Sequence, residues 1–142
     1  MTVVKEYLYQ IWNLDREIEI KYRALEAARA QIGVMPRQAD PDAVSHPDVI
    51  SDPTFCYVKK VMKLEAQLNK KIERLITLKS RIISQIDGMD NRTYRNILTC
   101  RYVLMQSWDK VAESCGYSVQ HIYRMHGKAL REFSRLYLSN MR

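Results

Sequence analysis

The stretch SWDKVAESCGYSVQHIYRMHGKALREF, Ser107 to Phe133, decides the fold. It begins with a serine, a residue type that caps helices, ahead of a short run that places Val111 and Ala112 on one side. This predicts a helix from Trp108 to Ser114 or Cys115, capped by Ser107. Gly116 ends it, because glycine adopts the positive φ that a tight helix exit requires. Ser118 then caps a last helix, from Val119 to about Leu138. On that helix Ile122, Met125, Ala129, Phe133 and Leu136 recur at helical spacing and form the expected core stripe. At 100° per residue, Gln120, Arg124, Lys128, Arg131 and Arg135 fall on the opposite side within an arc of about 80°. His121 and Tyr123 flank that arc. Glu132 lies outside it, so the face offers donors and cations only, where a solvated face ordinarily mixes both signs.

A short helix, a glycine turn, and a serine-capped second helix predict a helix-turn-helix. Ala112 is small enough for the second helix to cross closely. In such a unit the first turns of the second helix enter the DNA major groove. Gln120 can pair with adenine, and Arg124 with N7 and O6 of guanine. Ser118 can hold a phosphate through its hydroxyl and the unpaired amides beside it. Lys128, Arg131 and Arg135 lie too far along the helix to read the same bases and suit the backbone or a partner. The expected DNA-contacting set is therefore Ser107, Lys110, Ser118, Gln120, His121, Tyr123, Arg124, Lys128 and Arg131. His126 points toward the core side and is expected to be a hydrogen-bonded structural histidine.

The whole chain agrees with a polyanionic partner. Its 142 residues hold 23 Lys and Arg against 16 Asp and Glu, a formal charge of +7. Residues 88–142 account for +5 of that, nine basic against four acidic, and residues 1–87 for +2, fourteen against twelve. A basic excess of this size favours a polyanionic partner. The three cysteines, Cys56, Cys100 and Cys115, are odd in number and form no C-x-x-C, so neither a disulfide framework nor a zinc knuckle is expected. His121 and His126 stand five apart, not the four that puts two ligands on one helix face. Asp40, Asp42, Asp48 and Asp52 read as a flexible acidic loop, lacking the glycine-tightened turn of a calcium site. Cys100 and Cys115 have no identifiable base, and no phosphate-cradling glycine loop occurs. No enzyme activity, metal or cofactor is expected. The longest uncharged run, Ser114 to Tyr123, has ten residues, too short to span a membrane. Glu6, Asp15 and Glu17 come too early for a secretory signal. The expected location is the cytoplasm.

All four prolines, Pro36, Pro41, Pro47 and Pro53, fall in one window that Gly33 opens. They predict a loop over 33–53 between two long proline-free helices. In the first, roughly Val3 to Ile32, the residues Val4, Ile11, Ile18, Leu25 and Ile32 recur every seven positions, with Leu8, Leu14, Tyr22 and Ala28 beside them. In the second, roughly Thr54 to Ile86, Val61, Leu68, Leu75 and Ile82 do the same, and Asp52 before Pro53 marks its start. Heptad spacing predicts a coiled-coil-like antiparallel hairpin. Two helices alone leave much apolar surface wet, so Val4, Ile11, Ile18, Leu25, Val61, Leu68, Leu75 and Ile82 are expected to hold a second copy, a dimer, or another partner. The competing expectation is a monomer in which the C-terminal helices cover the hairpin. Gly88 breaks the second helix, Asp90 is a candidate cap, and a third helix over about Asn91 to Leu104 buries Tyr94, Ile97, Leu98 and Tyr102 or Val103. The expected fold is all-α: a helical hairpin over 1–87, then a helix-turn-helix domain over 88–142.

The Ser107–Phe133 segment resembles the C-terminal helix-turn-helix of bacterial sigma factors, region four, which grips the −35 promoter element. "YRNILTCRY" matches its preceding helix, and "HGKALREF" the end of its recognition helix. The order of the two halves, with "LDREIEIKYRALEA", "MPR" and "NKKIERLITLKSRI", resembles a phage and prophage family related to late-gene regulators of the RinA and ArpU type. That resemblance implies a phage transcription regulator, with Val119, Gln120, His121, Tyr123 and Arg124 at the major-groove positions. The chain departs from the pattern in three places. Val119 replaces a residue that is often polar, the turn "VLMQSW" lacks the usual glycine, and Gly127 stands where alanine is common. No sigma region two is present, so a complete sigma factor is not expected. Two alternatives remain: an adaptor that binds RNA polymerase as region four does, and a small DNA-packaging (terminase) subunit.

Overall fold

The computed structural model describes residues 2–34 and 53–139. Apart from its ends, the expected loop over 33–53 lies outside the described residues, as do the Asp52 cap and the acidic cluster. The fold is all-α, with no strand among the described residues. Helix α1 runs Thr2–Val34 and α2 runs Pro53–Asp87, 33 and 35 residues, each about 50 Å long at 1.5 Å per residue. Helix α3 spans Arg92–Leu98 and continues as a π-helical turn, Thr99–Val103. Helix α4 is Trp108–Cys115, and α5 is Val119–Phe133, which continues as a second π-helical turn, Ser134–Leu138.

The third and fifth helices thus reach the ends expected for them, but not at constant pitch. A π turn takes more residues than an α turn, so the apolar face advances. Leu136, expected in the core, is 38 % exposed, while Leu138 is buried in its place. The cap of α3 also differs. Asn91, not Asp90, caps it, accepting from Tyr94 N at 3.1 Å. Arg95 Nη1 donates to the carbonyl oxygens of Met89 at 2.6 Å and Asp90 at 3.1 Å, which satisfies the polar backbone of the bend.

The chain forms two compact units: Met1–Asp15 with Arg74–Arg142, and Arg16–Glu73. The boundary is not the expected 87/88, because the first turns of α1 and the last turns of α2 supply core to the C-terminal helices. Val4, Leu8, Ile11, Ile82 and Ile86 are buried together with Leu98, Tyr102, Leu130 and Phe133. Each such aliphatic side chain stabilises by about 1.5–3 kcal/mol on removal from water. A second cluster, Ile97, Val111, Ala112 and Ile122, joins α3, α4 and α5.

The unit Arg16–Glu73 has a thinner core of Leu25, Val61 and Leu68, with Ile18, Leu64 and Ile72 partly buried around it. Its polar links run in antiparallel order: Glu17 with Lys71 at 2.8 Å, Lys21 with Gln67 at 3.0 Å, and Arg29 with Glu65 at 2.7 Å. Such exposed pairs contribute about 0–1 kcal/mol each. Tyr22, placed beside the heptad seam by the sequence, is instead 51 % exposed.

The eight seam residues expected to hold a second copy pack within the one chain. Val4, Ile11 and Ile82 are buried in the first unit's core, and Leu75 packs against it. Leu25, Val61 and Leu68 form the second unit's core, with Ile18 at its edge. The heptad pattern reported an apolar face correctly, but that face is covered from inside. A second copy would have to use other surface.

Candidate nucleic-acid interface

The α4–α5 geometry follows from three small residues. Ser107 is extended and its Oγ accepts from Lys110 N at 3.3 Å, which starts α4. Gly116 takes φ +76°, and the amides of Gly116 and Tyr117 both reach the Ala112 carbonyl, at 2.9 and 3.1 Å. This pair of bonds closes the helix in the left-handed exit that glycine permits. Ser118, again extended, accepts from His121 N at 3.2 Å and starts α5. A hydroxyl that accepts in this way still has its proton to donate. Buried Val111, Ala112 and Ile122 fix the two helices against each other.

This arrangement leaves Gln120, Tyr123, Arg124, Lys128 and Arg131 exposed on α5 and His121 half-buried, its ring 4.8 Å from that of Tyr117. Tyr123 stands edge-on to Trp108 at 5.3 Å, so its ring is braced while its outer half faces solvent. Arg124, Lys128 and Arg131 have no acidic partner at ion-pair distance among the described residues. Arg135 differs from them. Its Nη2 lies 2.5 Å from Glu132 Oε1 and its Nε 3.2 Å from Oε2. The hydrogen bond raises the guanidinium pKa and lowers that of the carboxyl. Its charge is answered locally, so the unpaired stripe ends at Arg131. Lys110 pairs with Glu113 at 3.5 Å on an exposed surface.

His126 is buried, as its position on the wheel indicates. Its Nε2 meets the Tyr102 hydroxyl at 2.7 Å, and its ring stands edge-on to Trp108 at 4.6 Å. Burial, and then the charges of Lys5 and Arg101, push its pKa down to about 4, so it is neutral at pH 7. Burial pushes the Cys100 and Cys115 thiols up, away from the reactive thiolate.

Nothing in the sequence pattern singles out Arg101, yet it organises the approach to α4. Its guanidinium lies 4.4 Å from the Trp108 ring and 4.7 Å from the Trp12 ring. It donates to the Gln106 carbonyl at 2.8 Å and to the Tyr9 hydroxyl at 3.1 Å, and Trp12 Nε1 donates back to the Arg101 carbonyl at 3.2 Å. The same turn contains Met105 at φ +55°, the left-handed conformation a glycine would take. A non-glycine residue there costs about 1–2 kcal/mol. The turn "VLMQSW" therefore closes without glycine because Arg101 ties it from outside.

Gly127 stands mid-helix in α5, and a Cβ placed there meets nothing within 4 Å. Glycine in a helix interior costs about 1 kcal/mol relative to alanine. Gly127→Ala should therefore raise unfolding free energy by about 1 kcal/mol in chemical denaturation. A fall in stability would show that the open space at this position is needed.

Among the described residues no three His, Cys, Asp or Glu side chains converge as a metal site, and no helix is long and apolar enough to cross a membrane. No protein-family model, no curated protein and no solved structure matches the chain.

Proposed function

We propose that the chain is a sequence-specific duplex-DNA-binding transcription regulator, phage-encoded and acting in late-gene control, with α5 in the major groove. The observation that carries this reading is the unpaired, acid-free row Arg124, Lys128 and Arg131 on a helix whose start is fixed by the Gly116 turn and the Ser118 cap. Gln120 and Arg124 lie in the first two turns, where a helix-turn-helix reads base edges. Lys128 and Arg131 lie beyond them, where phosphate contacts set register. Ser118, Ser107 and Lys110 sit at helix starts suited to the backbone. Arg135, paired with Glu132, stands outside the contacting set.

Titration against promoter duplexes at several salt concentrations tests the reading. Arg124→Ala should relax base preference, with a loss of about 1–3 kcal/mol confined to the preferred sequence. Lys128→Ala should weaken all sequences alike and lower the salt slope by about one. Equal loss on every sequence for both variants would contradict this division of roles. Copurification with RNA polymerase in the absence of DNA, without any duplex binding, would favour the adaptor reading instead.

A further inference from the structure

The two long helices carry charge differently. α1 holds five Lys or Arg and five Asp or Glu; α2 holds eight and three. On α2, at 100° per residue, Lys59, Lys63, Lys70, Arg74 and Arg81 fall within an arc of about 60°. All five are exposed, and none has an acidic partner at ion-pair distance among the described residues. The other positions within about 20° of that arc are Cys56, Ala66, Thr77 and Ser84, which are exposed, and Gln67 and Gln85, which are half-buried, so no acid interrupts it. The acids of α2 stand elsewhere on its circumference, Glu65 paired with Arg29. Like charges four apart on a helix, as at Lys59 and Lys63 or Lys70 and Arg74, destabilise it by a few tenths of a kcal/mol each. A solvated face avoids that cost by mixing signs, as α1 does. Lysine, arginine, serine and threonine together are the side chains that hold phosphate oxygens.

We propose that the basic stretch of α2 in each unit is a further, sequence-independent contact to the phosphate backbone of duplex DNA. Lys59, Lys63 and Lys70 serve in the unit Arg16–Glu73. Arg74 and Arg81, with the hydroxyls of Thr77 and Ser84, serve in the other unit. The inference rests on the DNA-binding reading of α5, and it gives α2 the task of affinity while α5 keeps that of sequence.

The experiment uses the full chain and a duplex of about 40 base pairs, some four helical turns. Binding constants are measured across a range of salt for the unaltered chain, for K59Q/K63Q/K70Q, for R74Q/R81Q, and for K60Q, whose exposed lysine lies off the arc. All substitutions are at exposed positions, and circular dichroism verifies that helix content is kept. Each contacted phosphate contributes about 0.9 to the salt slope. The slope should fall by up to about 2.7 for the triple variant and about 1.8 for the double. K60Q should leave it unchanged, and base preference should survive in all three. Wild-type slopes in both multiple variants, with DNA still bound, overturn this inference and leave the α5 reading intact. Absence of duplex binding by the unaltered chain at low salt overturns both.

Discussion

Replacing Arg101 with alanine is expected to lower the stability of the unit Met1–Asp15 with Arg74–Arg142 by about 3 kcal/mol. The figure follows from what the guanidinium does. It makes two charge-assisted hydrogen bonds, to the Gln106 carbonyl and the Tyr9 hydroxyl, and such bonds contribute about 1.5–3 kcal/mol when buried. It also lies over two indole rings, a contact of about 0.5–2 kcal/mol depending on desolvation. Against these gains stands the guanidinium's own Nε, buried without a hydrogen-bond partner, so simple addition would overshoot. Truncation also releases the turn that holds Met105 in its left-handed conformation.

Arg101→Lys should recover less than half of the loss. An ammonium has no flat face to lie between two indoles and cannot present a fork to two acceptors. The measurement is chemical denaturation followed by tryptophan fluorescence. The chain's two tryptophans, Trp12 and Trp108, both touch Arg101, so the signal reports on this unit. Arg92→Ala, at an exposed position on α3, supplies the comparison and should change stability by no more than about 0.5 kcal/mol. An Arg101→Ala loss no larger than that would refute the cage. Because the cage sets where α4 begins, the proposed DNA binding further predicts that the alanine variant loses affinity on every sequence, without altered base preference.

Arg101 also shows where the sequence ceases to be legible. Ser107, Gly116 and Ser118 could be read directly, since caps and left-handed exits depend on a few neighbouring atoms. Ile122, Ala129 and Phe133 could be read from a period of 3.6. The Arg101 cage could not, because Trp12 lies 89 residues away and no local pattern pairs it with Trp108. The exchange of Leu136 for Leu138 was hidden for a related reason: a π turn has no local sequence code, and one such turn shifts every later position on the wheel. Heptad spacing at Val4, Ile11 and Ile82 showed which face is apolar but not which element covers it. The basic face of α2 was obscured by counting charge along the chain, where the acidic residues of the 33–53 segment and the balanced α1 dilute it. Sorting by helix face brings it out.

Lowering the pH from about 6.5 to about 4 is expected to remove about 3 kcal/mol of stability through His126 alone. In the unfolded chain this imidazole takes up a proton near its ordinary value of about 6.5. In the folded protein, burial and the charges of Lys5 and Arg101 hold that value down to about 4. Between the two, the unfolded state binds a proton that the folded state refuses, so stability falls as pH falls. Above about 6.5 the histidine is neutral in both states and contributes no slope. Below about 4 it is charged in both, and the loss is complete. A gap of this size corresponds to about 3 kcal/mol. Burial holds the Tyr102 hydroxyl protonated, so the pair at 2.7 Å has one titrating member. The test is a series of denaturation midpoints from pH 4 to pH 7 for the unaltered chain and His126→Gln. Glutamine can keep a hydrogen bond to Tyr102 but does not titrate. Carboxylate titration is common to both proteins and cancels in the difference. The stability advantage of the histidine protein should therefore shrink by about 3 kcal/mol as pH drops from 6.5 to 4. A difference that stays constant across that interval would mean that the imidazole reaches water or an acid in the folded state, contrary to its place between Tyr102 and Trp108.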